Sequence, residues 1–157
     1  MLRCFDNDNI THVDGSVDPV RDKEIIDIEL QLKDLESLNN RIEKVKRTAK
    51  SGDKEAIRER EILQKAIEFI ESSNNIRSIE LDILDIDKYL KPLQLITSKP
   101  VLYVCNVDEN CINSTNHYVE SVKSLITKEG ANLIVLAAGI ESEINELDDY
   151  EERKMFL

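Results

Sequence analysis

Lys99-Pro100-Val101-Leu102-Tyr103-Val104-Cys105-Asn106-Val107-Asp108-Glu109 decides how the rest of the chain is read. Pro100 opens a short apolar run, Val101–Cys105, with the length and composition of a buried strand. Asn106 stands at its carboxyl end, where open α/β sheets bind their ligands. Further on, a helix is expected from about Asn116 to Glu129, and Gly130 ends it ahead of a second apolar run, Leu133-Ile134-Val135-Leu136-Ala137. Strand, helix and strand make a βαβ unit whose two strands run parallel, so Asn106 and Ala137-Ala138-Gly139 should emerge at the same edge of a sheet. Two loops converging there form a corner that could frame the base of a nucleotide. Taken alone, Asn106 to Glu109 also reads as an ordinary polar strand-to-helix loop.

Nothing in the chain cradles a triphosphate. There is no G-x-x-x-x-G-K-[ST] stretch, and the only glycines are Gly15, Gly52, Gly130 and Gly139. The chain therefore carries half of a nucleotide site at most.

Before the corner, residues 1–17 read as the end of a strand (Leu2-Arg3-Cys4-Phe5) and a polar loop containing Asp6, Asn7, Asp8, Asn9 and Gly15. Asp18-Pro19 then starts a helix, with Asp as N-cap and Pro at the first helical position. Its apolar positions Ile25, Ile28, Leu32, Leu35, Leu38, Ile42, Val45 and Ala49 step by three and four, with one phase break at Leu35-Leu38. A helix of about 30 residues is roughly 45 Å long. Ser51-Gly52-Asp53 ends it and caps a second helix, whose seam is Ala56, Leu63, Ala66 and Ile70. So short a connection makes the pair antiparallel, and the seam residues, Leu32, Leu35, Ile42, Leu63 and Ile70 among them, are read as its core. Ser72-Ser73-Asn74-Asn75 ends the second helix, and Asp85 to Leu93 reads as a short helix on the return to the sheet. After Gly139 an acidic helix is expected, with Glu141, Glu143, Glu146, Asp148, Asp149, Glu151 and Glu152 on a stretch whose inner face is Ile140, Ile144 and Leu147. The fold class is thus α/β, a partial parallel sheet into which an antiparallel two-helix coiled-coil arm is inserted. The boundaries are 1–17 and 99–157 for the sheet-bearing parts and 18–98 for the arm.

With 157 residues, 41% hydrophobic and 34% charged, the composition is that of a folding domain rather than a disordered tail. No apolar run reaches the length needed to span a bilayer, and the N-terminus has no signal-peptide core, so a cytoplasmic location and no membrane partner are expected. Cys4, Cys105 and Cys111 are an odd count and read as reduced thiols. Cys105, Cys111 and His117 recur at regular intervals, but five-residue gaps do not suit zinc, and no metal site is assigned. His12 and His117 read as loop and helix-start residues, and no nucleophile–base arrangement is visible, so no catalytic residue is assigned.

A net charge of −11 excludes a general nucleic-acid binder. Residues 41–60, however, hold eight basic side chains against four acids, leaving −15 on the rest. Lys44, Lys46, Arg47, Lys50 and Lys54 cluster at the turn of the hairpin. They read either as a solvated tip or, presented roughly 40 Å from the sheet, as a contact for RNA phosphates.

Several blocks together resemble one family. Leu2-Arg3-Cys4-Phe5-Asp6, Ile10 to Asp22, Lys99 to Val104, Asn106-Val107-Asp108-Glu109 and Ile140-Glu141-Ser142-Glu143-Ile144 closely resemble the Obg-like ATPase (YchF) family of P-loop NTPases, and the resemblance covers essentially the whole chain. It implies a GTPase-type domain with an inserted coiled-coil arm and a TGS domain further on, of which this chain would be an internal part without the phosphate-binding loop, the switch regions or the Mg²⁺ ligands. It implies, too, that the usual Asn-Lys-x-Asp base motif has become Asn-x-x-Glu, so that ATP binds at least as readily as GTP. By that resemblance Asn106 ties the base loop to the phosphate loop, Val107 packs on the base and Glu109 borders the base edge. Ala137-Ala138-Gly139 stands for the family's Ser-Ala-Ala, keeping its backbone N–H donors but not its hydroxyl. Ribosome association is implied as well.

The expected function is the base-recognition half of an ATP- or GTP-hydrolysing, translation-associated protein, using Mg²⁺ supplied from outside this chain and inactive as an isolated piece. The competing reading is a non-enzymatic helical hairpin that meets RNA or a ribosomal partner through its basic tip. A three-strand remnant should also expose apolar sheet surface and self-associate.

Overall fold

Asp18 and Asp53 start the two long helices. Asp18 Oδ1 accepts the N–H groups of Val20 and Arg21, each at 3.1 Å. Asp53 Oδ1 accepts those of Glu55 and Ala56 at 2.8 and 3.0 Å, filling donors that a helix start leaves open. The computed structural model describes residues 1–7, 15–111, 116–127, 129–147 and 153–154. The elements in chain order are β1 (Leu2–Arg3), α1 (Pro19–Ala49), α2 (Lys54–Glu71), α3 (Ile83–Asp85), β2 (Leu102–Asn106), α4 (His117–Thr127), β3 (Asn132–Leu136) and α5 (Ala138–Glu146), with short 3₁₀ and π turns between some of them. Features expected at Asp8, Asn9, Ile10 to Asp14 (His12 among them), the end of the 106–115 loop, Asp148, Asp149, Glu151, Glu152 and Phe156-Leu157 lie outside the described residues.

The chain divides into two compact units, one of Met1–Lys23 with Val101–Leu157 and the other of Glu24–Pro100. The first is built on a three-stranded sheet of order β1-β2-β3, parallel throughout. Leu2 pairs with Cys105, and Leu102 to Asn106 pair with Asn132 to Leu136. Both long strands sit one residue away from the expected bounds, because β2 takes in Asn106 and β3 stops at Leu136. Tyr103, Cys105 and Val107 alternate onto one face and form a core with Cys4, Ala137 and the α4 residues Val119, Val122 and Ile126. A brace closes this unit at the other end of β2. Lys23 Nζ lies 2.5 Å from Glu129 Oε1 and 5.6 Å from the centre of the Tyr103 ring, and the Tyr103 hydroxyl donates to Glu129 Oε2 at 3.2 Å. Leu102, Ile134 and Val135 remain exposed, more apolar sheet surface than a strand buried on both faces would leave.

The second unit is helical. Gly52, at φ +86°, makes the turn between α1 and α2. Leu38, Ile42, Val45 and Ala49 of α1 pack with Ala56, Ile62, Leu63, Ala66, Ile67 and Ile70 of α2, and Ile76, Tyr89, Leu90 and Leu95 complete the cluster. Fully burying a side chain such as Leu38 or Leu63 stabilises by about 1.5–3 kcal/mol. The return segment is helical over Ile83–Leu93, as an α turn, a π turn and a 3₁₀ turn in succession rather than one regular helix.

The expected seam fails in the first half of α1. Ile25, Ile28 and Leu32 are exposed, whereas Gln31 and Asp34 are buried. The break at Leu35-Leu38 is the reason. Each residue turns the helix by about 100°, so one residue of phase carries the apolar stripe off the face that Leu38 and Ile42 continue. The polar side chains in its place are satisfied. Asp34 accepts the N–H groups of Ile96 and Thr97 and the Thr97 hydroxyl, all at 2.7 Å, and Gln31 donates to Asn75 Oδ1 at 3.0 Å. Thr97 Oγ1 in turn accepts the N–H of Ile76 at 3.2 Å.

Candidate functional site

The corner forms where β2 and β3 end. Val107 N–H donates to Leu136 O at 2.9 Å, so the ladder runs one residue past β2 and the period-two alternation runs with it. Cys105 and Val107 therefore point into the core while Asn106 points away from it. Val107 is 3% exposed, and its expected contact with a base is not available to its side chain, which belongs to the core of this unit. Ala137 is buried in the same cluster.

Asn106 Oδ1 accepts the N–H of Ala138 at 2.9 Å. Ala138 opens α5, and Ala137, its N-cap residue, makes no side-chain cap bond, so Asn106 caps α5 from another element. The family resemblance has this side chain tying the base loop to a phosphate loop; the bond seen ties the two loops of the corner to each other. The backbone of Asn106 is fixed as well, its carbonyl accepting Cys4 N–H at 2.8 Å.

Glu109 begins a 3₁₀ turn (Glu109–Cys111) that folds it back toward α5. A Cβ built on Gly139 would stand 3.5 Å from Glu109 Oε1. The carboxylate thus lies against the first turn of α5, where open backbone N–H groups and the helix dipole favour negative charge. Asp108 stabilises this turn, its carbonyl accepting Cys111 N–H at 2.8 Å and its carboxylate accepting Asn110 N–H at 3.1 Å. The structure so brings together Asn106, Glu109, Ala138 and Gly139, with Val107 and Ala137 anchoring them from beneath.

Asn116, which sequence marks only as a helix start, reaches further. Its Oδ1 caps α4 by accepting Tyr118 and Val119 N–H at 2.9 and 3.3 Å, and its Nδ2 donates to Cys4 O at 2.7 Å. An Asn just before a helix is a cap signal; its bond to the end of β1 is not legible in sequence. The Tyr118 hydroxyl donates to Asp6 at 2.9 and 3.0 Å, a bond that together with burial raises its pKa. Cys4 and Cys105 are buried free thiols. Their mutual hydrogen bond, then burial, holds the Cys4 proton on, and the same bond lowers the pKa of Cys105.

The corner sets the Glu109 carboxylate beside Gly139 in the first turn of α5. Among the described residues no group of three His, Cys, Asp or Glu could hold a metal ion. Nor is any helix among them long and apolar enough to cross a membrane.

At the α1–α2 turn, Lys44, Arg47, Lys50 and Lys54 are exposed and have no ion-pair partner among the described residues. Lys46 is paired with Glu43. Of the other cations in this basic segment, Arg41 is bound to Glu59 at 2.6 Å and Arg58 to Asp85 at 2.5 Å.

No protein-family model matches the chain. It is 46% identical over 159 residues to the ribosome-binding ATPase YchF of Bacillus subtilis and 41% identical over 157 residues to that of Haemophilus influenzae. All of this chain is covered in both cases, and 43% and 42% of the relatives. The chain therefore spans less than half the length of these curated relatives. Among solved structures, that of the Schizosaccharomyces pombe YchF GTPase superposes with a TM-score of 0.84 at 28% identity, over 98% of this chain and 43% of the other.

Proposed function

The chain is a homologue of the YchF proteins along its whole length, and from that premise we propose that it is the base-framing part of a purine-nucleotide site in a longer, cytoplasmic, translation-associated ATP/GTP hydrolase. The observation that carries this is the Asn106–Ala138 bond with the Glu109 carboxylate against Gly139. In this reading Asn106 holds the Ala138 N–H and so sets the spacing of the two loops, Glu109 accepts the amino hydrogens of the base edge, and the backbone N–H of Gly139 beside it donates to a ring acceptor. Phosphoryl transfer in such enzymes is positioning plus electrostatics around the phosphates and Mg²⁺. None of the described residues supplies those parts, so this stretch alone frames a base without hydrolysing a phosphate. Residues 1–17 and 99–157 would then belong to the nucleotide-binding domain and 18–98 to an inserted coiled-coil arm.

The test is titration of a fluorescent ATP analogue into the longer protein. Asn106→Ala removes the loop tie, and Glu109→Ala the base-edge acceptor. Each should weaken binding on the order of tenfold, about 1.4 kcal/mol. Wild-type affinity in both variants would sink the reading.

A second reading is favoured by the four exposed, unpaired cations at the turn. Lys44, Arg47, Lys50 and Lys54 would meet ribosomal RNA phosphates, with Lys46 in reserve behind Glu43. Reversing Lys44, Arg47 and Lys50 to Glu should weaken co-sedimentation with ribosomes at moderate salt by about tenfold or more and flatten the salt dependence of what remains. Unchanged co-sedimentation would remove the tip from the account.

A further inference from the structure

α1 carries an apolar stripe that its own unit leaves unused. Ile25, Ile28 and Leu32 are 42, 52 and 61% exposed. Steps of three and four put them in one line over about two turns, beside the face that buries Gln31 and Asp34. Single exposed aliphatics are ordinary, but three in line on a regular helix make a ridge that another helix can pack against. Glu24 and Glu29 border this ridge, both exposed and without an ion-pair partner among the described residues. The next cation along, Lys33, is already held by Glu36 at 2.7 Å.

We propose that the Ile25–Ile28–Leu32 stripe is a docking strip for a basic amphipathic helix of a partner protein. The apolar ridge supplies the contact and the two free carboxylates choose its sign. A second copy docked strip to strip would set Glu24 and Glu29 against like charges. Nucleic acid and anionic lipid would be repelled for the same reason. This inference stands apart from the nucleotide reading and uses none of its residues.

The experiment is fluorescence anisotropy on the full chain with a labelled amphipathic Leu/Lys helix, and with a Leu/Glu helix of the same pattern as the control. The Leu/Lys helix should bind and the Leu/Glu helix should not. The Ile28→Gln/Leu32→Gln pair, and separately Glu24→Lys/Glu29→Lys, should each weaken binding about tenfold or more. Both pairs change exposed positions on a helix, and circular dichroism checks that helicity is kept. Equal binding by wild type and variants, or binding of the Leu/Glu helix, overturns the proposal. A wild-type dimer that the Gln pair turns into monomer assigns the strip to a second copy and overturns it too. So does hydrogen exchange showing residues 25–32 of the longer protein already protected while the Leu/Lys helix fails to bind, since the protein's own remainder would then cover them.

Discussion

Gln31 and Asp34 are polar side chains that α1 buries; about one turn further on, Leu38, Ile42, Val45 and Ala49 are apolar ones it buries in the same helix. The apolar half gains from leaving water, and any helix with a similar stripe could occupy its place. The polar half gains little from burial and loses much if misplaced, because Asp34 is satisfied only by the particular donors of Ile96 and Thr97. One half supplies stability, and the other specifies where the return segment from α2 must lie. That segment leads directly into Lys99-Pro100 and β2.

The strongest way to break this contrast is Asp34→Ala. It leaves two backbone N–H groups and a hydroxyl without their acceptor, and should destabilise by about 3–5 kcal/mol in chemical denaturation. A loss under about 1 kcal/mol would show that water or a rearranged segment replaces the carboxylate. Leu38→Ala should follow at about 2–5 kcal/mol, toward the lower end if α2 can settle into the space. Thr97→Val keeps the shape and removes the hydroxyl that links Asp34 to Ile76, for about 1–2 kcal/mol. Combined with Asp34→Ala it should be clearly non-additive, which a double-mutant cycle measures. If the two simply add, the polar half is a set of separate bonds and not a network.

The smallest effect is expected on the outer surface of α2. Lys88, and after it the Tyr89 hydroxyl, lower the pKa of Glu55. A carboxyl whose folded pKa is depressed adds stability above its unfolded pKa and loses it as pH falls through the folded one. Glu55→Gln should therefore lower the neutral plateau of a stability–pH curve slightly, leave its low-pH end unchanged, and so flatten the acid limb. A neutral-pH loss as large as that of Thr97→Val would mean that Glu55 does more than pair at the surface.

The two units also differ in how far their sites could be read in advance. Asn106 was legible as a corner residue because a polar side chain that ends a short apolar run stands where a parallel sheet opens to its ligands. Its partner was not, since the Ala138 N–H reaches it only across the paired ends of β2 and β3. The inward turn of Val107 follows from one added ladder bond, and no local pattern in Asn106-Val107-Asp108-Glu109 announces that bond.

The amino-acid sequence by itself determined the element starts and stops, through Asp18, Asp53, Gly52 and Gly130, together with the βαβ order and the edge where its loops meet. Those depend on residues a few positions apart, so local chemistry decides them. Only the tertiary structure decided which stripe of α1 is buried and that Asp34 rather than Leu32 faces inward. Heptad spacing defines lines along a helix without saying which one meets a partner. Burying a carboxylate is favourable only because Ile96 and Thr97, far along the chain, bring it three donors.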